Sequence, residues 1–199
     1  MAITTYTNLQ EAIAGWLHRD DLTDEITDFI ALCESTMQVK CKLVDLEWAA
    51  TVTITAGVGA LPTDFVGMRS IYWNDSLSQP LQYITPEQFD AMRSWGEGDT
   101  YFYTISGTTI RTSNTETGSA IMTYYAKFLP LSGSNASNAI LASYPDAYLY
   151  GSLAQGFIYT QDDTNAAKYS ALFSNAIDRI NENNAARKYA GATLQVRPA

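Results

Sequence analysis

Two amphipathic helical patterns lie towards opposite ends of the chain, over about residues 23–44 and 163–188, and a threonine-rich and aromatic region separates them. Apolar residues in both patterns return at the spacing of one helix face, whereas the period between them changes to two. Helices from both chain ends that pack together, with strands inserted between them, satisfy both periods. The residues on the two helix faces are Ile26, Phe29, Ile30, Cys33 and Met37, and then Tyr169, Leu172, Phe173, Ala176, Ile177 and Ile180.

Two shorter helical patterns accompany the long ones. Thr7 and Gln10 have the spacing of a capping box, which predicts a helix that ends near His18. A second capping pattern at Ser143–Asp146 predicts a helix that carries Tyr150, Leu153, Phe157 and Ile158. Small residues on that helix would permit close packing against its neighbours. These small residues are Ala147, Gly151 and Ala154.

The middle of the chain predicts strands and one short helix. Alternation over Thr51–Thr55, followed by Ala56–Gly59, predicts a hairpin with a return strand. Thr85–Gln88 combines a cap, a proline at the first helical position and a glutamine at the third, which predicts a helix carrying Phe89. The other predicted strands are Met68–Trp73, Tyr101–Ile105, Thr108–Thr112 and Ala120–Ala126, with a tight turn at Ser106–Gly107.

Together these patterns predict an α+β fold, namely a four-helix bundle formed by both chain ends, with an inserted antiparallel β domain and an extended C-terminal tail. The predicted boundaries are residues 1–48 for the N-terminal helices of the bundle and 49–131 for the inserted β domain with its short helix. Residues 132–191 form the C-terminal helices of the bundle, and 192–199 form the tail. The polar stretch Ser132–Asn138 is the predicted connector out of the sheet.

Charge restricts the partners of this chain. It carries 21 acidic and 12 basic residues, a net charge of −9. A surface that neutralises rows of phosphates requires clustered lysine and arginine, so tight nucleic-acid binding is not expected. An acidic surface remains compatible with DNA that passes without being held.

The residue inventory predicts no metal site, cofactor or catalytic residue. The single histidine, His18, follows a predicted helix end, and Cys33 and Cys41 lack the spacing of metal ligands. Eight residues of helix separate the two cysteines by about 12 Å, which is beyond the reach of a disulfide and consistent with a reducing compartment. Adjacent acids, Asp20–Asp21 and Asp162–Asp163, have the pattern of helix-capping residues. With neither a signal-peptide pattern nor a membrane-length apolar run, synthesis in a cytoplasm is expected.

Aromatic residues leave three interpretations open. Thirteen tyrosines and four tryptophans could form a surface that stacks sugars or bases, could fill the core as cross-strand pairs, or could lie in protein interfaces. The pairs Tyr101 with Tyr103 and Tyr124 with Tyr125 fit any of these.

The order of several landmarks resembles the head-to-tail adaptor family of tailed phages, also called tail tubular protein A or gatekeeper. The most specific are the Leu61–Phe65 turn, with leucine, proline and aspartate before phenylalanine, and the helix start at Tyr144–Gly151. The likeness covers about residues 3–188. The other landmarks are Tyr6–Trp16, Leu22–Ile30, Gln88–Asp90, Tyr124–Ala126 and Leu129–Leu131.

This resemblance implies a helical bundle with an inserted β domain and no catalytic residues. It also implies a ring, usually of twelve subunits, at the head-to-tail junction of the virion. Such a ring docks beneath the portal protein, continues the DNA channel without sequence-specific binding, and offers a platform for tail proteins of the nozzle or tube. No membrane is involved.

The C-terminal tail is the predicted portal-binding element. It alternates and follows a helix stop at Gly191, so it could add as a strand to a sheet edge or lie in a groove, but it cannot bury itself alone. A chain end without a role is the alternative. The residues are Thr193, Leu194, Gln195, Val196 and Arg197.

Two other functions remain open at the level of sequence. One is a β-rich binding module, for carbohydrate or protein, with a helical support and exposed tyrosines. The other is an acid/base hydrolase built on paired carboxylates.

Overall fold

The computed structural model describes residues 2–41, 46–74, 80–92, 102–113 and 117–189 of the 199-residue chain. It divides into two compact units. Residues 1–45 and 128–199 form the helical unit, and residues 46–127 form the strand unit. The prediction of a mixed helical and antiparallel sheet fold is therefore confirmed.

Six helices and seven strands follow one another in the described residues. None of these helices is both long and apolar enough to cross a membrane. In chain order the elements are α1 (Tyr6–Leu17), α2 (Thr23–Lys40), β1 (Glu47–Ile54), β2 (Val58–Ala60), β3 (Phe65–Trp73), β4 (Gln82–Tyr83), α3 (Pro86–Met92), β5 (Phe102–Ser106), β6 (Thr109–Thr112), β7 (Gly118–Ala126), α4 (Ala139–Ser143), α5 (Pro145–Tyr159) and α6 (Asp163–Tyr189).

The first helix begins two residues earlier than its capping pattern predicts. The hydroxyl of Thr5, not Thr7, accepts a hydrogen bond from the backbone N–H of Asn8 at 3.2 Å. Either threonine hydroxyl could accept the capping hydrogen bond. Because Thr5 is the N-cap, Tyr6 is the first residue of the helix. At the other end His18 has a φ of 53° and closes α1, as predicted.

Helix α5 lies at the centre of the helical unit, where it packs against α1, α2 and α6. Its small residues permit this, because Ala147, Gly151 and Ala154 are all buried. A Cβ atom on Gly151 would overlap the Cys33 sulfur and would lie 2.8 Å from Cε2 of Phe173. The predicted small-residue face is therefore the packing face, whereas Ile158 of the same helix is 56% exposed.

The predicted apolar stripes account for most of the remaining core. All five stripe residues of α2 are buried, and Glu34 is buried with them. In α6, Leu172 and Phe173 are only half-buried. The buried members of that stripe are Tyr169, Ala176, Ile177 and Ile180.

The strand unit contains two sheets. One has three antiparallel strands in the order β1-β7-β3, and the other has the order β2-β6-β5-β4. Antiparallel pairing was predicted for the whole region, but the short β4 runs parallel to β5. Side chains from both sheets form one core cluster, including Ile54, Ile71, Ile110 and Met122.

The predicted hairpin at residues 51–59 forms only at its turn. Ala56 and Gly57 have φ values of 50° and 76°, as a tight two-residue turn requires, and Thr55 bridges to Val58. Beyond that bridge β1 pairs with β7 while β2 pairs with β6. The return strand therefore belongs to the other sheet.

Two further local predictions, the capping box of α3 and the turn at Ser106–Gly107, are confirmed. Thr85 and Gln88 exchange hydrogen bonds between side chain and backbone, both at 3.3 Å, at the start of α3. Strands β5 and β6 form the predicted hairpin, and Gly107 in its turn has a φ of 61°.

Candidate functional site

The predicted partner-binding residues, Thr193, Leu194, Gln195, Val196 and Arg197, lie outside the described residues. Their role therefore stays a prediction, and the rest of the chain must be searched for chemistry and for exposed surface.

The acidic pairs serve helix ends and ion pairs. Asp162 accepts hydrogen bonds from the backbone N–H of Asn165 at 3.1 Å and from its side chain at 2.6 Å, which lowers the pKa of Asp162 and caps α6. The Arg19 guanidinium donates to both oxygens of Asp21, at 2.6 and 2.7 Å, and lowers the pKa of that carboxyl to about 2. Within the described ranges, no group of three or more histidine, cysteine, aspartate or glutamate residues could hold a metal ion.

Two of the tyrosines singled out in the sequence analysis lie in the core of the strand unit. Tyr103 and Tyr124 are buried, and the hydroxyl of Tyr124 donates to Asp64 at 3.0 Å. Phe65 stacks on Tyr124 at 5.9 Å between ring centroids. For these two tyrosines the core interpretation is therefore correct.

The helical unit buries one acidic side chain among its described residues, Glu34, which is 6% exposed. Its Oε1 accepts a hydrogen bond from the Tyr148 hydroxyl at 2.9 Å and another from the backbone N–H of Leu131 at 2.8 Å. Burial raises the pKa of Glu34, and the two hydrogen bonds oppose that rise only in part. Burial also raises the pKa of Tyr148. A carboxylate on α2 thus joins α5 to the chain that follows β7.

The predicted connector, Ser132–Asn138, is the end of a longer segment, 128–138, to which we apply the name connector from here on. Several hydrogen bonds hold this segment in addition to the one to Glu34. Asn138 donates to the Tyr148 hydroxyl at 2.7 Å and to the Leu129 carbonyl at 3.1 Å, while its Oδ1 accepts from Leu141 and caps α4. Asn135 donates to the Pro130 carbonyl at 2.7 Å, and the Ala136 carbonyl accepts from the N–H of Tyr6 at 2.7 Å. The connector is therefore a built part of the helical unit, although its composition resembles a flexible linker.

The sequence analysis missed Glu34, although a signal exists. Glu34 lies four residues after Ile30 and three before Met37, on the same face of α2 as the apolar stripe. A lone acid at a core position predicts a buried hydrogen-bond network, because an unpaired carboxylate there would be costly.

An aromatic cluster joins three helices of the same unit. Tyr169 on α6 stacks on Phe157 at 5.1 Å and contacts Tyr150 at 6.3 Å and Trp16 at 6.2 Å between centroids. Tyr169 itself is buried, whereas the indole of Trp16 remains 48% exposed. The cluster therefore ends in exposed aromatic surface.

Each unit exposes large apolar side chains to solvent. Where such side chains are contiguous, they usually mark a surface that binds another protein. On α2, Leu32 and Val39 are seven residues apart and lie on one helix face. Among the described residues, the large exposed apolar ones are Trp16, Leu32, Val39, Leu129, Ile158 and Tyr159 in the helical unit, and Trp48, Val58, Val66 and Tyr83 in the strand unit.

Comparison with known proteins matches residues 4–197 to the model of a family described as SU10 adaptor protein. No curated protein matches the chain. The family match spans both units and every described element.

Proposed function

The chain belongs to the SU10 adaptor protein family, a family of phage head-to-tail adaptors, and on that premise we propose that it forms a ring beneath the portal. The ring has twelve subunits, continues the DNA channel and provides the docking platform for tail proteins of the nozzle or tube. The observation that carries this proposal is the family match over residues 4–197.

The helices suit the proposed body of the ring. The four long helices, α1, α2, α5 and α6, form the bundle of each subunit. The exposed apolar residues of α1, α2 and α5 supply contacts between subunits. Interfaces favour aromatic and large apolar residues, and Trp16, Leu32 and Tyr159 have this character. A cyclic ring uses two different faces of each subunit, so no face needs to be self-complementary.

Charge supports the proposed channel. The chain has a net charge of −9, and an acidic channel wall would let DNA pass without adhesion. The C-terminal residues Thr193–Arg197 contact the portal. Assembly takes place in the host cytoplasm, and the mature location is the head-to-tail junction of the virion.

Native mass spectrometry with electron microscopy of the purified protein and of its complex with portal rings tests this proposal. We expect rings of twelve copies of the 21.9 kDa chain, either free or on the portal. A protein that stays monomeric with portal rings and never co-purifies with them would contradict the proposed function.

A further inference from the structure

In the described part of the strand unit the two sheets end in four edge strands, and three of these are protected against further pairing. Strand β2 has three residues and β4 has two. Strand β3 departs from regular register twice, between Phe65 and Gly67 and between Met68 and Ser70, and Leu81 donates to the Ile71 carbonyl at 2.9 Å. Short, bulged or covered edges do not accept a further strand easily.

The fourth edge, β1, lacks each of these protections. It pairs with β7 over eight consecutive residues without a register shift, from Glu47 opposite Tyr125 to Ile54 opposite Gly118. Residues 48–54 contain neither a charge nor a proline. The end of the strand is bordered by β2, because a Cβ atom on Gly59 would lie 2.9 Å from the Thr53 carbonyl oxygen. The open part is therefore Trp48–Thr51.

Exposure agrees with an open edge. Trp48 is 62% exposed, and Ala49 and Thr51 are exposed as well. Apart from the pairing with β7, no backbone hydrogen bond from the described part of the chain reaches Trp48–Thr51. Every second residue of an edge strand directs its N–H and C=O groups away from its partner strand, so these groups can bind an added strand.

We propose, on the basis of the proposed function, that an extended segment of a tail protein adds to the edge Trp48–Thr51 as a further strand of the β1-β7-β3 sheet. Backbone hydrogen bonds to β1 supply the affinity. An apolar side chain of the segment covers Trp48, and small or β-branched side chains on its other face lie beside Ala49 and Thr51. The docking platform for the tail therefore includes this edge.

Charge and geometry favour a tail protein over a second copy as the occupant. In the proposed ring the exposed apolar residues of α1, α2 and α5 supply the contacts between copies, whereas the edge Trp48–Thr51 is uncharged and accepts a neutral segment without desolvation of a charge. Among the described residues, the long extended stretch outside the sheets is the connector, and it is already fastened to its own helices. The portal contact falls to residues 193–197, which leaves the edge for the tail side.

Two lysine substitutions on one strand provide a matched test. Thr51→Lys places a charge at the open edge, where lysine blocks strand addition, and Thr53→Lys adds the same charge on the same face where β2 already borders the strand. Both side chains are exposed, so the melting temperature and ring formation should not change. We expect Thr51→Lys to weaken binding of the purified tail protein at least tenfold and Thr53→Lys to bind as the unaltered chain does.

Amide hydrogen exchange distinguishes strand addition from a contact made only by side chains, because only backbone hydrogen bonds slow the exchange. On addition of the tail protein to assembled rings, amide exchange of residues 48–51 should slow markedly in the unaltered chain. If Thr51→Lys lowers the melting temperature, Ala49→Lys at a second exposed position replaces it.

Three results would overturn the proposal: unchanged tail binding by the Thr51→Lys ring, an equal loss with Thr53→Lys, or loss of ring formation with Thr51→Lys alone. The last would assign the edge to a second copy. Failure of the unaltered chain to form rings or to bind the portal would instead refute the proposed function, so the two failures are distinguishable.

Discussion

At the scale of single residues, Glu34 shows how a polar group fixes the connector within the helical unit. Its Oε1 accepts both hydrogen bonds, from Tyr148 and from Leu131. A glutamine has the same shape and retains an acceptor oxygen, whereas an alanine leaves the Tyr148 hydroxyl without this acceptor.

We expect Glu34→Ala to lower the free energy of unfolding by about 1–3 kcal/mol, because buried donors lose their acceptor. Glu34→Gln should be at least as stable as the unaltered chain at pH 7, since it avoids the burial of a charge. Urea unfolding of both variants measures this, with Glu11→Gln on the exposed face of α1 as a control. A larger loss with glutamine than with alanine would falsify the assignment of the hydrogen bonds.

The same group predicts a dependence on pH. Burial raises the pKa of Glu34 above its ordinary value of 4.5. The folded chain therefore binds this proton more tightly than the unfolded chain, and the associated stability is present below pH 4.5 and lost as pH rises through the raised pKa. The stability advantage of Glu34→Gln over the unaltered chain should therefore grow from pH 4.5 towards pH 7. A constant difference over that range would contradict the direction of the shift.

At the scale of secondary-structure elements, close packing of α5 is the feature that the helical unit depends on. Gly151→Ala should be strongly destabilising, since the added methyl group overlaps Cys33 and touches Phe173, and overpacking commonly costs about 1–3 kcal/mol. Gly15→Ala on α1 is the matched control, because nothing lies within 4 Å of its added Cβ atom and alanine favours helix by about 1 kcal/mol. Thermal melting should move in opposite directions for the two variants.

The stripe residues give a graded prediction. Phe29 is buried and contacts Tyr159 at 5.5 Å between centroids, so Phe29→Ala should cost about 3–5 kcal/mol. Phe173, whose ring also lies beside Gly151, is only half-buried, and Phe173→Ala should cost less. Chemical denaturation of the two variants compares them directly, and an equal cost would mean that solvent does not reach Phe173.

Local signals in the sequence predicted the elements well, because the stripes of α2 and α6, the α3 capping box and the turn at Gly107 depend on neighbours in the chain. Pairing across the chain was not predictable in the same way. Nothing near residues 51–60 indicates that β1 joins β7 while β2 joins β6, since partners about 50 or more residues away decide that. The hydrogen bonds of the connector depend on α2 and α5 and were missed for the same reason.

At the scale of the whole molecule, the proposed assembly depends on contacts that a single chain leaves open. The exposed apolar residues of the helices, the open edge of β1 and the residues 193–197 are assigned to three different contacts. In the proposed particle they serve neighbouring subunits, the tail and the portal. Each surface therefore predicts a different loss on substitution, and the losses should be separable.

The C-terminal segment provides the last of these tests. Deletion of residues 192–199 should leave the melting temperature unchanged, because an eight-residue segment with two large apolar side chains buries too little surface to stabilise a core. It should weaken or abolish attachment to capsids that contain the portal, as measured by co-sedimentation. Within the full-length chain, Leu194→Asp should weaken attachment if the segment binds as a strand through Leu194 and Val196. Gln195→Asp adds the same charge on the opposite strand face and should have little effect. Normal attachment of the truncated chain would return the portal contact to the helices.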